Sequence, residues 1–274
     1  MSKVEVIVVG YPKSGNTWLT RLVAELLQCP VAGFWKAPTD HQEIACEGES
    51  RVSDFECYKS HHPFEAFSTK PEPADNIHLI HVIRDPRDVA ISGSKFFPLE
   101  KDYMLFLKRV LHKLSGDIRL YRSLLETIRN LPVDNSLYLR RGHQRIDTMI
   151  DALANGNQRI HPWVVPWRNY VTEYLNDGVF YVRYEDMLRT PKEECFRILD
   201  HLGVSRTEQE VRSAIQAQAF DRVKQKFLGA NDNRKSDFLK SGQAYQWRSK
   251  LNKKQKDAFL KFSDLLIRLG YPVE

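Results

Sequence analysis

Strand-like and helix-like hydrophobic patterns alternate along the first hundred residues of the chain. Residues 6–9 and 77–83 are largely β-branched apolar runs, which are typical of strands buried on both faces of a sheet. Residues 19–27 instead carry apolar side chains at positions 19, 22, 23, 26 and 27, and this spacing predicts an amphipathic helix. Strands that alternate with helices predict an α/β fold, with a central parallel sheet flanked by helices.

The rest of the chain continues this alternation. Further strands are predicted at 55–59 and 179–184, and further helices at 88–97, 163–175, 191–202 and 253–269. The helix at 191–202 starts with Pro191, a residue favoured in the first helical turn. Residues 99–131 predict one or two amphipathic helices, whereas 135–159 is polar, basic and weakly periodic and predicts an irregular segment. Residues 29–57 show no clear pattern before the strand that starts at 55.

The loop between the first strand and the first helix contains the strongest chemical signal. Residues 11–18 read Tyr-Pro-Lys-Ser-Gly-Asn-Thr-Trp, and Gly10 and Gly15 have the separation found in the nucleotide-binding P-loop. The P-loop lysine is replaced by Asn16, and the only lysine of the loop is Lys13. A kinase or NTPase needs that lysine on the β- and γ-phosphates. The loop therefore predicts a phosphate cradle for a reaction other than ATP hydrolysis, and the alternative is an ordinary strand-to-helix turn.

Two more candidate pairs lie at the ends of predicted strands. Lys59 and His61 are two residues apart on an extended segment, so their side chains point to the same side. Histidine is a natural general base near neutral pH, although a surface histidine beside a turn is the alternative interpretation. Arg84 and Ser92 supply a guanidinium and a hydroxyl, both good phosphate partners. Because ligands of α/β sheets bind beyond the carboxyl ends of the strands, we expect Lys13, His61 and Arg84 to converge.

Composition narrows the class of protein. The chain has 274 residues, 42% of them hydrophobic, which predicts a globular protein with a sizeable core. The net charge of +6 suits an anionic ligand and does not require nucleic acid. The four cysteines are widely spaced, without a C-x-x-C pair, which favours reduced thiols and argues against structural zinc. With no signal-like or membrane-length apolar run, we expect a cytoplasmic protein without a membrane partner.

Five short motifs occur in an order that resembles a known family. They are residues 11–18 (Y-P-K-S-G-N-T-W), 59–63 (K-S-H-H-P), 83–92 (with Arg84 and Ser92), 184–187 (Y-E-D-M) and 240–247 (K-S-G-Q-A-Y-Q-W). These segments resemble the Y-P-K-S-G-T-T-W loop, the K-T-H-x-P segment, the Arg and Ser pair, the Y-E-D-M run and the R-K-G-x-x-G-D-W loop of one family. That family is the PAPS-dependent sulfotransferases of the cytosolic small-molecule type. PAPS is 3′-phosphoadenosine 5′-phosphosulfate, and PAP is the product left after sulfonate transfer.

The resemblance implies a P-loop-like sulfotransferase fold and a role for each matching residue. His61 would deprotonate the acceptor, Lys59 would stabilise the sulfuryl group in transit, and Lys13 would lie on the leaving phosphate oxygen. The implied catalytic set is His61, Lys13, Lys59 and Ser92. The implied PAPS-binding set is Lys13, Ser14, Gly15, Asn16, Thr17, Trp18, Arg84, Ser92, Tyr184, Phe220, Lys240, Ser241 and Gly242. The backbone of residues 14–17 and the hydroxyl of Thr17 would hold the 5′-phosphate, and Trp18, Tyr184 and Phe220 would lie near adenine.

The remaining members of the PAPS-binding set would bind the 3′-phosphate of PAPS. Arg84, Ser92 and the loop 240–242 would hold the 3′-phosphate. Sulfuryl transfer resembles phosphoryl transfer, an in-line displacement in which cations stabilise the developing charge. No metal is implied.

The sequence departs from the family pattern at several positions. Asn16 and Gln218 each stand where the family has Thr, and Lys240-Ser241 replaces Arg-Lys, which removes one cation and a bidentate guanidinium. The C-terminal segment lacks the K-x-x-x-T-V-x-x-x-E dimer motif of animal members, so the oligomeric state stays open. The resemblance covers one domain, residues 1–274, in which we expect residues 99–160 to form an insertion that covers the acceptor site.

The implied reaction is transfer of sulfonate from PAPS to a hydroxyl, or less often an amine, of a small-molecule acceptor such as an alcohol, phenol or natural product. Candidate residues for the acceptor pocket are Phe34, Trp35, His62, Phe64 and Phe96, although plain core packing is an equal interpretation for these side chains. Three alternatives are a small-molecule P-loop kinase, a catalytically inactive nucleotide-binding protein of the same fold, and a carbohydrate sulfotransferase. The displaced lysine argues against the kinase.

Overall fold

Five parallel strands form the centre of the protein. The computed structural model describes residues 3–37, 44, 46–68, 76–97, 135–219 and 242–273. Within 135–219, side chains are described from residue 144 onward. The strands are β1 (Val4–Gly10), β2 (Val31–Phe34), β3 (Phe55–Ser60), β4 (Ile77–Ile83) and β5 (Tyr181–Arg183). They pair in the order β2-β3-β1-β4-β5 and every pair is parallel, which confirms the predicted sheet.

Helices connect and cover the strands. The described helices are α1 (Asn16–Leu27), α2 (Glu65–Ser68), α3 (Pro86–Phe96), α4 (Asn135–Asn155), α5 (Trp167–Asn176), α6 (Tyr184–Arg189), α7 (Pro191–His201), α8 (Glu208–Ala217), α9 (Trp247–Lys250), α10 (Lys253–Asp257) and α11 (Ser263–Arg268), with a 3₁₀ turn at Leu260–Phe262. Among these helices, none is both long and apolar enough to cross a bilayer. The helices predicted within 99–131 and three predicted binding residues, Phe220, Lys240 and Ser241, lie outside the described residues.

The two faces of the sheet bury separate hydrophobic clusters. Along β1, Val6 and Val8 pack with α1, α7 and α8, whereas Val9 and the following Tyr11 pack with α3, α4 and α5. Successive side chains of a strand point to opposite faces, so one continuous apolar run feeds both clusters. This burial on both sides fixes β1 at the centre of the sheet.

The two edge strands differ from the prediction: one is shorter than predicted and the other was not predicted. The strand predicted at 179–184 is limited to Tyr181–Arg183, because it pairs only with residues 81–83 of β4 and β4 ends there. β2 lies within the stretch that showed no pattern, and Gly33 interrupts its register with β3. Edge strands of three or four residues are too short to show a period in the sequence.

The prediction of an irregular segment at 135–159 is wrong, because residues 135–155 form the helix α4. Its C-terminal half buries Met149, Ile150, Ala152 and Leu153, which follow helical spacing. The helix packs closely on α3, where a Cβ on Gly93 would lie 2.8 Å from the Met149 sulfur. Tertiary packing on α3 therefore stabilises a helix whose polar sequence alone carries little periodic signal.

The single helix predicted at 253–269 is also wrong. It is divided into α10, the 3₁₀ turn and α11. Phe259, Phe262, Leu265 and Leu269 are all buried against the same cluster. The 3₁₀ turn changes the residues per turn, so that this whole series of side chains can face the core.

The turn after β4 is anchored by a buried ion pair. Asp85 caps α3 by accepting a hydrogen bond from the Arg87 backbone N–H at 3.0 Å. The same carboxylate accepts two bonds of 2.8 Å from the Arg87 guanidinium, and both side chains are 2% exposed or less. The guanidinium also lies 3.7 Å from the Trp247 ring and donates to the carbonyl of Pro272. These contacts fix the start of α3 against the C-terminal segment.

A second buried carboxylate supports the same turn. Glu185 accepts hydrogen bonds from the Asp85 backbone N–H at 3.1 Å and from the Tyr271 hydroxyl at 2.8 Å. It is 3% exposed, and burial raises its pKa from 4.5 to about 7. Ionisation of Glu185 in the folded protein therefore costs free energy near neutral pH.

Asp85→Asn should lower the free energy of unfolding by about 3 kcal/mol, because it leaves the Arg87 guanidinium buried without its counter-charge. Urea unfolding monitored by circular dichroism measures the change. The matched control is Asp264→Asn, which removes the partner of Arg168 at a site where the Asp264 side chain is 69% exposed. Solvent screens that pair, so we expect a much smaller effect. Equal losses in the two variants would contradict the importance of the buried pair.

Glu185→Gln should change the pH dependence of stability. The unfolded chain ionises Glu185 near pH 4.5, whereas the folded protein keeps the proton until about pH 7. The stability gained from the protonated carboxyl is therefore complete below pH 4.5 and is lost as the pH rises through 7. As the pH rises from 5 to 8, the free energy of unfolding of Glu185→Gln should increase by roughly 2–3 kcal/mol relative to that of wild type. Parallel stability profiles for the two proteins, measured by urea unfolding across this range, would contradict the raised pKa.

Candidate active site

The loop between β1 and α1 has the backbone of an anion cradle. Gly15 precedes α1 with φ of 100°, and Lys13 also has a positive φ, of 74°. A Cβ on Gly15 would lie 2.6 Å from the Tyr184 ring, so only glycine fits there. The hydroxyl of Ser14 is fully buried and has no hydrogen-bond partner among the described residues. Together with the N–H groups that begin α1, this unpaired donor suits a bound anion.

Arg84 joins this loop to the chain that follows residue 242. Its guanidinium donates to the carbonyl of Lys13 at 3.0 Å and to that of Gln243 at 3.3 Å. It lies 4.3 Å from the centre of the Tyr184 ring, and 7% of the residue is exposed. Its Nε is buried and is not hydrogen-bonded to any described residue. The guanidinium thus keeps an unused donor beside the loop.

Asp88 places a carboxyl group near that guanidinium. Its carboxylate lies 4.0 Å from Arg84 and accepts a hydrogen bond of 2.9 Å from the Trp247 backbone N–H. Burial raises the pKa of Asp88, and the charge of Arg84 opposes that rise. At 4.0 Å, the pair does not use up the directional donors of the arginine.

His61 follows the end of β3 and contacts the end of β1. Its Nδ1 lies 2.6 Å from the carbonyl oxygen of Gly10, and the ring is 5% exposed. A carbonyl oxygen can only accept, so Nδ1 carries the proton and donates to it. The other ring nitrogen, Nε2, therefore holds the lone pair that a general base needs. This assignment follows from the hydrogen-bond partners of the ring.

Lys59 and Lys13 approach the same edge of the sheet from different elements. Lys59 is on β3, two residues before His61, and is 3% exposed. Its Nζ lies 5.9 Å from the centre of the Phe34 ring. The Nζ of Lys13 lies 3.7 Å above the Phe96 ring, at the end of α3. Each ammonium group is thus held beside an aromatic face.

Aromatic rings surround His61. Phe34 and His161 lie 5.8 and 6.5 Å from its ring, measured between centroids. Trp163 lies 4.3 Å from His62 and 6.3 Å from Phe34. Neither His161 nor Trp163 is among the predicted site residues. The helix predicted from residue 163 begins only at Trp167, and both side chains lie in the turn before it.

The other residues predicted for the acceptor pocket lie in different surroundings. Trp35 lies 5.4 Å from His62 and so belongs to the same cluster. Phe64 instead packs against Tyr174 at 5.3 Å, on the core side. Phe96 lies under Lys13 and is 47% exposed.

Trp18 and Tyr184 lie together beside the loop. Their rings meet edge to face at 5.8 Å, and the Trp18 indole N–H donates to the carbonyl of Gln218 at 3.0 Å. Among the other predicted binding residues, Thr17 is in the first turn of α1 and Ser92 is half-buried on α3, two turns beyond Arg84. Gly242 has φ of 52° and directly precedes Gln243, the Arg84 partner. Within the described ranges, no group of three or more His, Cys, Asp or Glu side chains is arranged to hold a metal ion.

Known proteins resemble this chain along nearly its whole length. A rat relative, sulfotransferase 1A1, is 22% identical over 93% of this chain and 81% of its own length. Sulfotransferase 2A6 from mouse is also 22% identical, over 98% of this chain and 85% of its own length.

Two solved structures share the fold. Mouse sulfotransferase SULT7A1 complexed with PAP has a TM-score of 0.57 at 15% identity, covering 96% of this chain and 84% of its own. Retinol dehydratase in complex with androsterone and PAP has a TM-score of 0.56 at 18% identity, covering 96% and 80%. The family model described as the sulfotransferase domain matches residues 3–268. The chain therefore belongs to the sulfotransferase family, whose members are enzymes that transfer a sulfonate group.

Proposed function

We propose that the protein transfers sulfonate from PAPS to a hydroxyl, or less often an amine, of a small-molecule acceptor. The observation that carries this proposal is the meeting of three groups at the carboxyl edge of the sheet. They are the loop around Ser14, the oriented imidazole of His61 and the guanidinium of Arg84. Two of the groups keep a buried polar atom without a partner among the described residues, as a phosphate-binding site with open donors would.

The donor set fits the two anionic ends of PAPS. The N–H groups that begin α1 and the buried Ser14 hydroxyl would hold the 5′-phosphosulfate. Arg84, Ser92 and the segment from Gly242 would hold the 3′-phosphate, together with Lys240 and Ser241. Bound PAPS supplies an activated sulfuryl group on a phosphate leaving group. Trp18, Tyr184 and Phe220 would lie around the adenine.

His61 would act as the base. Its Nδ1–H bond to Gly10 leaves Nε2 able to take the proton of the acceptor hydroxyl, which makes that oxygen a better nucleophile. Lys13 and Lys59 would stabilise negative charge on the leaving oxygen and on the sulfuryl oxygens. Lys13 follows β1 and Lys59 lies on the neighbouring strand β3, so both residues are at the same end of the sheet as His61.

The acceptor pocket would be aromatic. Phe34 and His161 lie near the His61 ring and Trp163 stacks on Phe34, and these rings would offer flat apolar surfaces to a small molecule. Two solved neighbours bind such molecules: retinol dehydratase is described with androsterone and with retinol. We also propose that the chain is one domain and that residues 99–160 contribute to covering this pocket.

Removal of either key side chain should abolish most turnover. With ³⁵S-labelled PAPS and a panel of alcohols, phenols and amines, His61→Ala and Lys13→Ala should each lower kcat by about 10²–10⁴-fold. The matched control is His78→Ala. His78 lies at the amino-terminal end of β4, at the end of the sheet opposite to the candidate site. Near-wild-type rates in the first two variants would show that their roles are misassigned. Failure of wild type to bind PAP or PAPS would overturn the whole proposal.

Arg84→Lys should distinguish the two phosphates. Lysine cannot reproduce the planar set of donors, so the affinity for PAP should fall about 10–100-fold. AMP lacks the 3′-phosphate, and its affinity should stay within about twofold of wild type. Isothermal titration calorimetry measures both ligands on both proteins. Equal losses for PAP and AMP would mean that Arg84 acts only by supporting the loop through the Lys13 carbonyl.

A further inference from the structure

Asn16 connects three segments that the proposed reaction needs. It is the first residue of α1, and its side chain is buried at 2% exposure. The amide nitrogen Nδ2 donates to the carbonyl of Gly10 at 2.8 Å and to that of Ser60 at 2.9 Å. It also lies 3.2 Å from Nδ1 of His61. One side chain thus bridges the ends of β1 and β3 next to the imidazole.

The partners fix the orientation of this amide. Two backbone carbonyls face one atom of the Asn16 side chain, and only the NH₂ group can donate to both. A flipped amide would place its oxygen against the oxygens of Gly10 and Ser60, which is unfavourable. Both Nδ2 hydrogens are used by the carbonyls, so neither is left for His61. The short contact between Nδ2 and the imidazole therefore agrees with a protonated Nδ1 that donates to Gly10.

The amide oxygen gives independent support. Oδ1 of Asn16 is buried without a hydrogen-bond partner in the described ranges. A buried, unpaired acceptor costs free energy. The side chain is thus held at this place by its two donors and not by its oxygen.

We infer that Asn16 is a positioning residue that fixes the tautomer and orientation of His61. By holding the carbonyls of Gly10 and Ser60 together, it keeps the Gly10 oxygen where it accepts Nδ1–H. The lone pair of the imidazole then stays on Nε2, ready for the acceptor proton. This inference rests on the proposed base role of His61 and deepens it.

Threonine, the residue that the family resemblance predicts at position 16, cannot make the same bridge. Its hydroxyl donates only one hydrogen bond, so it can hold one carbonyl but not both. Asn16→Thr should therefore loosen the Gly10 acceptor without removing a charge from the site. Asn16→Ala removes both donors and should have the larger effect.

The first experiment separates turnover from nucleotide binding. Asn16→Thr should lower kcat for sulfonate transfer about a hundredfold, as expected when a reacting group is misplaced by a fraction of an ångström to an ångström. Its dissociation constant for PAP should stay within about threefold of wild type. The matched control is Asn155→Thr, the same substitution at the exposed end of α4, where the amide donates to Asp151 among the described residues. A wild-type kcat for Asn16→Thr, or a loss confined to PAP affinity, would overturn the inference.

The second experiment tests whether Asn16 acts through His61. In a His61→Ala background, adding Asn16→Thr should cause no further loss of kcat, because there is no ring left to position. An additional loss of tenfold or more would show a role that is independent of the imidazole. Thermal unfolding of each variant identifies any that fails to fold.

The third experiment does not require catalysis. ¹⁵N-histidine NMR of the PAP-bound protein reads the protonated nitrogen of each of the nine histidines, and His61 is identified by its absence in His61→Ala. Wild type should show the proton on Nδ1, and Asn16→Thr should show a mixture of tautomers. An unchanged tautomer in Asn16→Thr would overturn the inference. Because this readout needs no turnover, it distinguishes failure of the positioning role from failure of the proposed reaction.

Discussion

A single backbone oxygen, the carbonyl of Gly10, joins the parts of the site. It accepts the His61 Nδ1–H at 2.6 Å and the Asn16 Nδ2–H at 2.8 Å. Gly10 ends the central strand, which pairs with β3 on one side and β4 on the other. A Cβ at this position would lie 2.6 Å from a side-chain carbon and the carbonyl of Val82. The close approach of the strands therefore requires glycine, and the same approach brings the oxygen within reach of the imidazole.

The position of this oxygen depends on the pairing of β1 with β3. Strand β3 carries Lys59 and leads into His61, and its register with β1 is set by six consecutive residue pairs. A shift of one residue would turn Lys59 to the other face of the sheet. The placement of Lys59 and His61 is thus a consequence of the strand register, which burial on both faces maintains.

Buried ionisable side chains at the end of β4 support the part of the site around Arg84. Arg84 holds the loop through the Lys13 carbonyl, while Asp85 and Glu185 fix the turn from which the guanidinium extends. Burying these groups costs solvation free energy, and hydrogen bonds to charged partners offset part of the cost. The raised pKa of Glu185 shows that part of this free-energy cost is not offset.

The sequence by itself determined the strands of the sheet centre, because β1 and β4 are buried on both faces and leave unbroken apolar runs. It also determined that Lys13, His61 and Arg84 lie at carboxyl ends of parallel strands, since strand order does not change which end that is. Helix α4, the break in the C-terminal helix and the short edge strands depend on contacts with distant residues, and local periodicity does not encode them.

Only the tertiary structure decided what Asn16 does. In the sequence it is a departure from a phosphate loop; in the fold its amide bridges two carbonyls, one of which lies 44 positions away in the chain. His161 and Trp163 reach the site in the same way, from the turn before α5. Hydrogen bonds and ring contacts between distant segments follow from the packing of the whole chain, so no local motif could have predicted them.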